Sequence, residues 1–510
     1  MPLKTRLPER ASSVLPAGVS STSFARALRQ LRRVVGAAHV LTTDDDLIAY
    51  EKIMLPEEAS TYAPSGVVLP ASLEHVQGVL AVCNKYRIPL WPLSTGRNLG
   101  YGAALPATRG QLILDLRRMD RILEVDAELC TALVEPGVTY QKLQDYLDER
   151  KLPLWLDFPD DGPLVGPVGN TLERGTGRTP YADHFAHLCG MEVVLADGRV
   201  LRTGMGSLPH ATSWQAYKYG YGPYLDGLFS QSNFGIVTKL GLWLMPAPRS
   251  HRTVLVRYWD DQGLGSAVQT IRPLMLEGTI RNPCRVSNAT WMLTAVARRA
   301  ELYQGTGAVP NAEIFAAARL HGIAPWNVTF TLYGTPEQIA PSLALATQAF
   351  EGSGGEVVLD YRDDSQTGRL NLSSFSLLNW VGGGGLAWLS PVSAARGTDA
   401  LRQRDIARSL LAMHGLDYLA APTVYGRDLN HLTAVVFDHA DPSARARARR
   451  CFGDLTKAFA DNGYGIARAG IDCMAEVARG YGATRRSVDR ALKRALDPRG
   501  VLAPGKSGIA

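Results

Sequence analysis

Between residues 70 and 90 the apolar positions recur at helical spacing. Val76, Val79, Leu80 and Cys83 share one side, and Ser72 stands where a helix needs a cap. The pattern predicts a helix, followed by a short strand, IPLWPLS, and the loop TGRNLGYGAA. Two further apolar runs, QLILDL and TALVEP, predict strands, and TYQKLQDYLDERKL predicts a helix opening at Thr139. MEVVLADGRVLRTG reads as a β-hairpin with Asp197-Gly198 as a two-residue turn. GIVTKLGLWLMPAP reads as a strand ended by prolines. The first half is thus an α+β mixture of short strands and glycine-rich loops. After about residue 248 the segments lengthen and glycine thins out, with strand-like runs such as WNVTFTLYG, which predicts a second domain. The tail is expected to be helical, with Val488, Leu492 and Leu496 on one face and a stop at Asp497-Pro498 and Gly500.

Length and composition narrow the class. A chain of 510 residues exceeds one ordinary core. Hydrophobic content of 46% with 20% charged residues describes a globular protein. The balance of 54 basic to 48 acidic residues is too even to argue for nucleic acid. The cysteines show no C-x-x-C pair, so no metal site is expected. The N-terminal stretch lacks an apolar signal core and no run reaches membrane-spanning length. A cytoplasmic protein without a membrane association is expected, with export alongside a partner as the alternative.

The candidate chemistry lies in the loops. GVLAPGKS, residues 500–507, matches the P-loop pattern, but a helix precedes it and almost nothing follows, so nucleotide hydrolysis is disfavoured. No G-x-G-x-x-G fingerprint follows a strand. Three glycine- and amide-rich loops instead feed strands: STGRNLGYG, the stretch from VGNTLERGTGR, and SQSNFGIVTK. Together they predict one extended ligand whose pyrophosphate is gripped by backbone N–H groups.

The order of PLSTGRNLGYG, LVEPGVTY, GNTLERGTGRTPYADHF, GMEVVLADGRVLRTGMGSLP, WQAYKYGYGPYLDGLFSQSNFGIVTKLGLWLMP, NWVGGGGLAWLSPVSAARG and RALDPRGVLAPGKSGI closely resembles the vanillyl alcohol oxidase / p-cresol methylhydroxylase flavoproteins. The resemblance runs from about residue 85 to the C-terminus and is thinner across 250–370. It implies a p-cresol methylhydroxylase-type FAD-binding domain of two α/β subdomains at 1–247. A cap domain of antiparallel sheet flanked by helices would follow at 248–464, and 465–510 would return to the FAD domain. It implies FAD with its pyrophosphate on Ser94, Thr95, Gly96, Arg97, Asn98, Leu99 and Gly100. Further contacts would come from Pro136, Gly137, Gly169, Asn170, Arg174, Gly175, Asp183, Gly235, Ile236, Val237 and Lys506.

By the same resemblance the reaction is oxidation of a para-substituted phenol. A hydride leaves the benzylic carbon for flavin N5, and a quinone methide results. The family holds the phenolate with two tyrosines and an arginine. Tyr101 and Arg468 match one tyrosine and the arginine, but the second tyrosine is Ala467 here, a loss of about 2–4 kcal/mol if nothing replaces it. Tyr425 and Tyr464 are candidate replacements, or else ordinary half-buried tyrosines. Acidic residues near the reacting carbon read Ser374, Ala421 and Ala434, which predicts a roomier, less polar pocket and a bulkier phenylpropanoid or lignan-like phenol. Asp160 or Asp161 could serve as a base, against the alternative of a solvated Asp-Gly turn. His431 and Arg427 either line the pocket or pair structurally. Arg445 and Arg449 in ARARARR form a solvated face or dock an acidic redox partner such as a c-type cytochrome. A homodimer is expected.

Within LLNWVGGGGLAWLSP, residues 377–391, the four glycines are expected to pass the flat flavin ring. The positions where relatives tether FAD through tyrosine or histidine are Leu378 and Leu386, which predicts non-covalent FAD with a lowered flavin potential. An oxidase passing electrons to O₂, or a flavin-binding protein with impaired catalysis, are the rival readings.

Overall fold

The computed structural model describes residues 14–159, 162–361 and 376–510. Local signals set the first elements. Ser72 Oγ accepts from the His75 N–H at the start of helix Leu73–Tyr86, and Thr139 Oγ1 caps Tyr140–Glu149 through Lys142. The hairpin turn differs from expectation by one residue. Leu195 N–H donates to Arg199 and Gly198 N–H to Leu195, each at 2.9 Å, so Ala196-Asp197-Gly198 forms a three-residue loop. Gly198 takes φ 88°, which suits a type I turn followed by a left-handed residue.

Among the described residues, three large sheets and a two-stranded ribbon of Leu154–Trp155 with Met245–Pro246 organise the chain. The first is four-stranded, in the order Val40–Leu41, Gly66–Val68, Leu112–Asp115, Leu90–Leu93, and its last three strands are parallel. Helices Ser21–Val35 and Leu73–Tyr86 bury Leu31, Val76, Val79 and Leu80 in the core that includes Leu112 and Leu114. The second sheet is five-stranded and antiparallel: Ile122–Asp126, Thr131–Val134, Ile236–Trp243, Leu188–Val194, Val200–Arg202. Helix Tyr140–Glu149 packs Leu143 and Leu147 into its core. These two sheets with their helices are the α+β mixture expected for the first half of the chain.

The third sheet has nine antiparallel strands and centres on Ser250–Tyr258, Trp326–Gly334, Cys284–Asn288, Leu419–Val424 and Asp428–Phe437. A row of helices, Pro336–Gly352, Gly263–Leu276, Gly397–Met413 and Pro442–Asp461, packs on it. Eight of the nine residues in Trp326–Gly334 are buried, as a central strand under helices requires. Arg445 and Arg449 do not form a free basic face. Arg445 meets Glu58 at 2.6 Å and Arg449 meets Glu57 at 2.8 Å, which ties this helix to the N-terminal half.

The last 46 residues cross between the sheets. Gly465–Ile466 pairs with Pro391–Ala394 on the large sheet, whereas Leu90 N–H donates to Val501 and Ala503 N–H to Leu90, both beside the four-stranded sheet. The helix Ala483–Leu496 buries a different stripe from the expected one. Leu492 and Leu496 pack inward, but Val488 is 50% exposed. The fully enclosed residue is Lys493, whose ammonium meets Asp497 at 2.7 Å and donates to the carbonyls of Asn233 and Leu502. Asp497 in turn accepts from the N–H groups of Val501 and Leu502.

This buried knot holds the C-terminal return. Lys493→Met leaves a buried carboxylate unpaired and is expected to cost about 3–5 kcal/mol. Hydrogen exchange should then accelerate across 483–510 before any other segment; unchanged protection there would contradict the assignment.

Candidate active site

Strand Leu90–Leu93 ends at Ser94, whose hydroxyl donates to the Pro136 carbonyl at 2.5 Å and sets the course of the loop. Opposite stand the short helix Pro167–Leu172 and the residues Gly235, Ile236 and Val237. These walls enclose a cleft of about 1120 Å³, counting the part open to solvent. The small residues keep it narrow: a Cβ at Gly169 would come within 2.9 Å of Ser94, and one at Gly166 within 2.9 Å of Thr95. The cleft is lined by Ser94, Thr95, Gly96, Arg97, Asn98, Pro136, Gly169, Asn170, Gly235, Ile236, Val237 and Lys506 of the expected set.

The remaining expected contacts serve the scaffold or a neighbouring cavity. Leu99 and Gly100 are not among the cleft's lining; at Gly100 a side chain would collide with Trp388. Gly137 lies against the Arg117 backbone and donates to the Met119 carbonyl at 2.7 Å. Asp183 is exposed on a turn, where it accepts from the Ala186 N–H. Arg174 and Gly175 belong to the next cavity. Lys506 pairs with Glu173 and stands 5.8 Å over the Trp91 ring. Burial pushes the Glu173 carboxyl up, but Lys506, Arg468 and Arg174 outweigh burial and hold it below the ordinary range.

The second cavity encloses about 1350 Å³ and shares Asn170 and Arg468 with the cleft. One wall is Tyr101 and Arg468, with the guanidinium 4.3 Å from the ring centroid. Arg468 is held by Asn98 Oδ1, while its Nε is buried without a partner among the described residues. The Ile471 N–H donates to the Tyr101 carbonyl at 3.0 Å, so the glycine loop and the returning C-terminal segment fix one another. The opposite wall comes from the large sheet: Thr423, Tyr425, Asn430 and Leu432, with Trp388 and Trp291 6.0 Å apart. Arg285 lies 4.6 Å from the Trp291 ring. Asp157 orders the loop Gly175–Arg178: it accepts from the N–H groups of Arg178 and Thr179 and meets His184, which also contacts Asn170 at 2.5 Å. Motif reading missed Asp157, Glu173, Arg285 and Trp291, because each acts by its neighbours in space.

Of the expected catalytic residues, Tyr101, Arg468 and Tyr425 meet in this cavity. Burial pushes the Tyr425 hydroxyl up to about 12. His431 does not line it. Strand side chains alternate, so Asn430 and Leu432 face the cavity and His431 faces the core, fully buried and 2.8 Å from the Tyr418 hydroxyl. Burial pushes its imidazole down to about 3, so it is neutral. Tyr464 also lies elsewhere, donating to Asp399 at 3.0 Å. Arg427 is exposed beside Ala394 and Ala395 on the outer surface. Asp160, Asp161 and Ser374 lie outside the described residues.

The four glycines have a different reason from the expected one. Gly382, Gly383 and Gly384 all take left-handed φ, and a Cβ at Gly385 would strike Phe437 of the paired strand. They form the turn into strand Gly385–Leu389, and none lines the cleft or the second cavity. Leu386 is fully buried, and Leu378 packs on the same apolar cluster as Tyr101 and Trp388. Among the described residues lining the cleft there is no tyrosine, histidine or cysteine.

Comparison with known proteins agrees with this geometry. Residues 64–204 match an FAD binding domain, and residues 248–507 match the C-terminal domain of FAD linked oxidases. The 4-cresol dehydrogenase [hydroxylating] flavoprotein subunit of Pseudomonas putida is 42% identical over 98% of both chains. A crystal structure of p-cresol methylhydroxylase with substrate bound superposes with TM-score 0.96 at 42% identity, covering 98% of this chain and 99% of that one. A 4-ethylphenol oxidase from Gulosibacter chungangensis, in an isoeugenol complex, superposes with TM-score 0.94 at 35% identity, covering 97% and 99%.

Beside Tyr101 the buried carboxyl of Asp472 is pushed up to about 7, first by burial and then by Glu57. An unfolded aspartate titrates near 3.9, so the folded state binds the extra proton between roughly pH 4 and 7. Stability is therefore expected to fall as pH rises through that window, by up to about 4 kcal/mol, and to level off above it. Asp472→Asn should flatten the dependence in pH-resolved melting; an unaltered profile would exclude Asp472 as its source.

Proposed function

This chain belongs to the vanillyl alcohol oxidase / p-cresol methylhydroxylase family of FAD-linked flavoproteins, and from that premise we propose that it oxidises the benzylic position of para-substituted phenols through a quinone methide. The observation that carries the reading is the Tyr101–Arg468 pair, which faces a cavity adjoining the FAD cleft. Arg97, Arg174, Arg178, Arg285, Arg468 and Lys506 line the two spaces against one carboxylate, Glu173, among the described residues. That imbalance suits two anions, a pyrophosphate and a phenolate.

The cleft fits FAD. Gly166 and Gly169 let the helix pack directly against Ser94 and Thr95, which a side chain would prevent, and Ser94–Asn98 with Lys506 supply donors along the cleft. Bound there, FAD supplies the acceptor for the hydride. Arg468 and Tyr101 hold the phenolate oxygen. Ionising the phenol feeds electron density to the para substituent, so what stabilises the anion also prepares the reacting carbon. Trp291, Trp388, Leu377 and Leu432 present an apolar wall that excludes water and accepts a large ring system. Ala421 and Ala434 lie on the same strand faces as the lining residues Thr423 and Leu432, and both are small. We therefore favour a phenylpropanoid or lignan-like 4-alkylphenol over a minimal cresol.

The cofactor is proposed to be dissociable, because Leu378 and Leu386 offer no nucleophile. The electron acceptor is proposed to be a protein such as a cytochrome, given the relative named as a flavoprotein subunit. The likeness to a 4-ethylphenol oxidase supports O₂ as the second reading.

Three measurements test this. Arg468→Ala is expected to abolish anaerobic flavin bleaching by 4-alkylphenols, a loss of at least about 100-fold, while FAD stays bound; normal bleaching would remove Arg468 from the site. Acid precipitation should release the yellow colour to the supernatant, and colour retained in the pellet would refute dissociable FAD. Reduced enzyme should reoxidise with cytochrome c faster than with air, whereas rapid reoxidation by air alone would establish the oxidase.

A further inference from the structure

A third cavity, of about 1610 Å³, meets the second at Arg174, Ala467 and Arg468. Its near wall is apolar, formed by Ile466, Ala469, Met474, Val477 and Ala478, and no role has been given to it above. Ala467 is the telling residue. Its N–H donates to the Ser390 carbonyl at 3.0 Å and its carbonyl accepts from Gln231 at 3.0 Å, so its backbone is fixed from both sides. Its side chain is nonetheless exposed to the space that the two cavities share. Of the three residues the cavities share, Ala467 alone is small.

We infer that Ala467 is a specificity-determining position that admits substituents ortho to the phenol hydroxyl, with the third cavity receiving them. The inference rests on the proposed reading that Arg468 and Tyr101 hold the phenolate oxygen. An ortho substituent sits one carbon from the carbon that bears the oxygen, so it falls among the immediate neighbours of Arg468. The residue preceding Arg468 in the chain is Ala467, and the space beyond it has one apolar wall, with Arg485, Arg486, Asp489 and Arg490 among its other lining residues. An alkoxy group there keeps favourable surroundings, and a larger aryl group has room to extend. A bulky side chain at 467 would fill the same volume and exclude such groups by overlap. The substrate class is thus narrowed to 4-alkylphenols carrying one or two ortho-alkoxy or ortho-aryl groups.

The test uses the FAD-loaded enzyme under anaerobic conditions with 4-ethylphenol and 4-ethyl-2,6-dimethoxyphenol, followed by flavin absorbance. Direct titration with the unreactive pair phenol and 2,6-dimethoxyphenol supplies a binding readout. In the parent enzyme the two substrates should reduce flavin with similar efficiency. Ala467→Tyr and the milder Ala467→Leu should each lower the dimethoxy-to-plain ratio, by at least about 30-fold for tyrosine, in both reduction and binding. An unchanged ratio in both variants, or a parent enzyme that reduces only with the plain phenol, overturns the inference alone. No reduction of the parent by either phenol overturns the functional reading, and this inference falls with it.

Discussion

Glu173 is the constraint on which the site depends. Without it, Lys506, Arg174 and Arg468 would crowd one junction with nothing to offset their repulsion. With it, three cations sit where the cleft meets the second and third cavities. A single carboxylate among them leaves the junction positive, so it is stable enough to fold and still short of an anion. The partial compensation is what makes the junction a site.

Such a junction can be built only where separate segments of chain converge, and the fold is arranged for that. The glycine loop after Leu93 brings Asn98 and Tyr101, helix Pro167–Leu172 leads directly to Glu173 and Arg174, and the C-terminal return brings Arg468 and Lys506. The return could not hold its place by one strand pair alone, since Gly465–Ile466 is two residues long. The buried Lys493–Asp497 knot and the bonds of Val501 and Ala503 to Leu90 supply the second anchor. Arg468 is therefore pinned on both sides, by the large sheet before it and by the four-stranded sheet after it.

What the sequence made legible was local chemistry. Caps at Ser72 and Thr139, the strand runs and the glycine loops each depend on residues a few positions apart, and they appear where the pattern placed them. Facing was harder to read. His431 stands in a motif rich in polar residues, but the register of Asp428–Phe437 turns it into the core, and only the pairing with Leu419–Val424 decides that parity. The glycines at 382–385 carried a true signal of close approach and left-handed backbone, but the close neighbours are Asp438 and Phe437. Arg445 and Arg449 matched the pattern of a solvated helix face; their partners, Glu57 and Glu58, lie nearly four hundred residues away in sequence. Contacts of that span leave no periodicity to read.

The same separation explains how this scaffold sets its selectivity. The described residues lining the second cavity offer no carboxylate, and its broad walls are two tryptophans, two leucines and a tyrosine whose hydroxyl stays protonated. Charge is confined to four arginines, of which Arg468 stands beside Tyr101 and Arg285 against Trp291 on the opposite wall. A pocket of this kind orients an anionic ligand by its cations and sorts the remainder by shape. Small residues then matter as much as large ones: Ala467 beside Arg468 lines the cavity with a methyl group alone, whereas Ala434, across from Trp388, and Ala421, across from Leu432, are packed in the sheet without reaching it. The room beside Arg468 therefore comes from one residue of the C-terminal return, and the large sheet supplies the fixed wall opposite. A ligand held at Arg468 that left the tryptophan wall bare would leave apolar surface in contact with water, and one broad enough to cover that wall would displace the water.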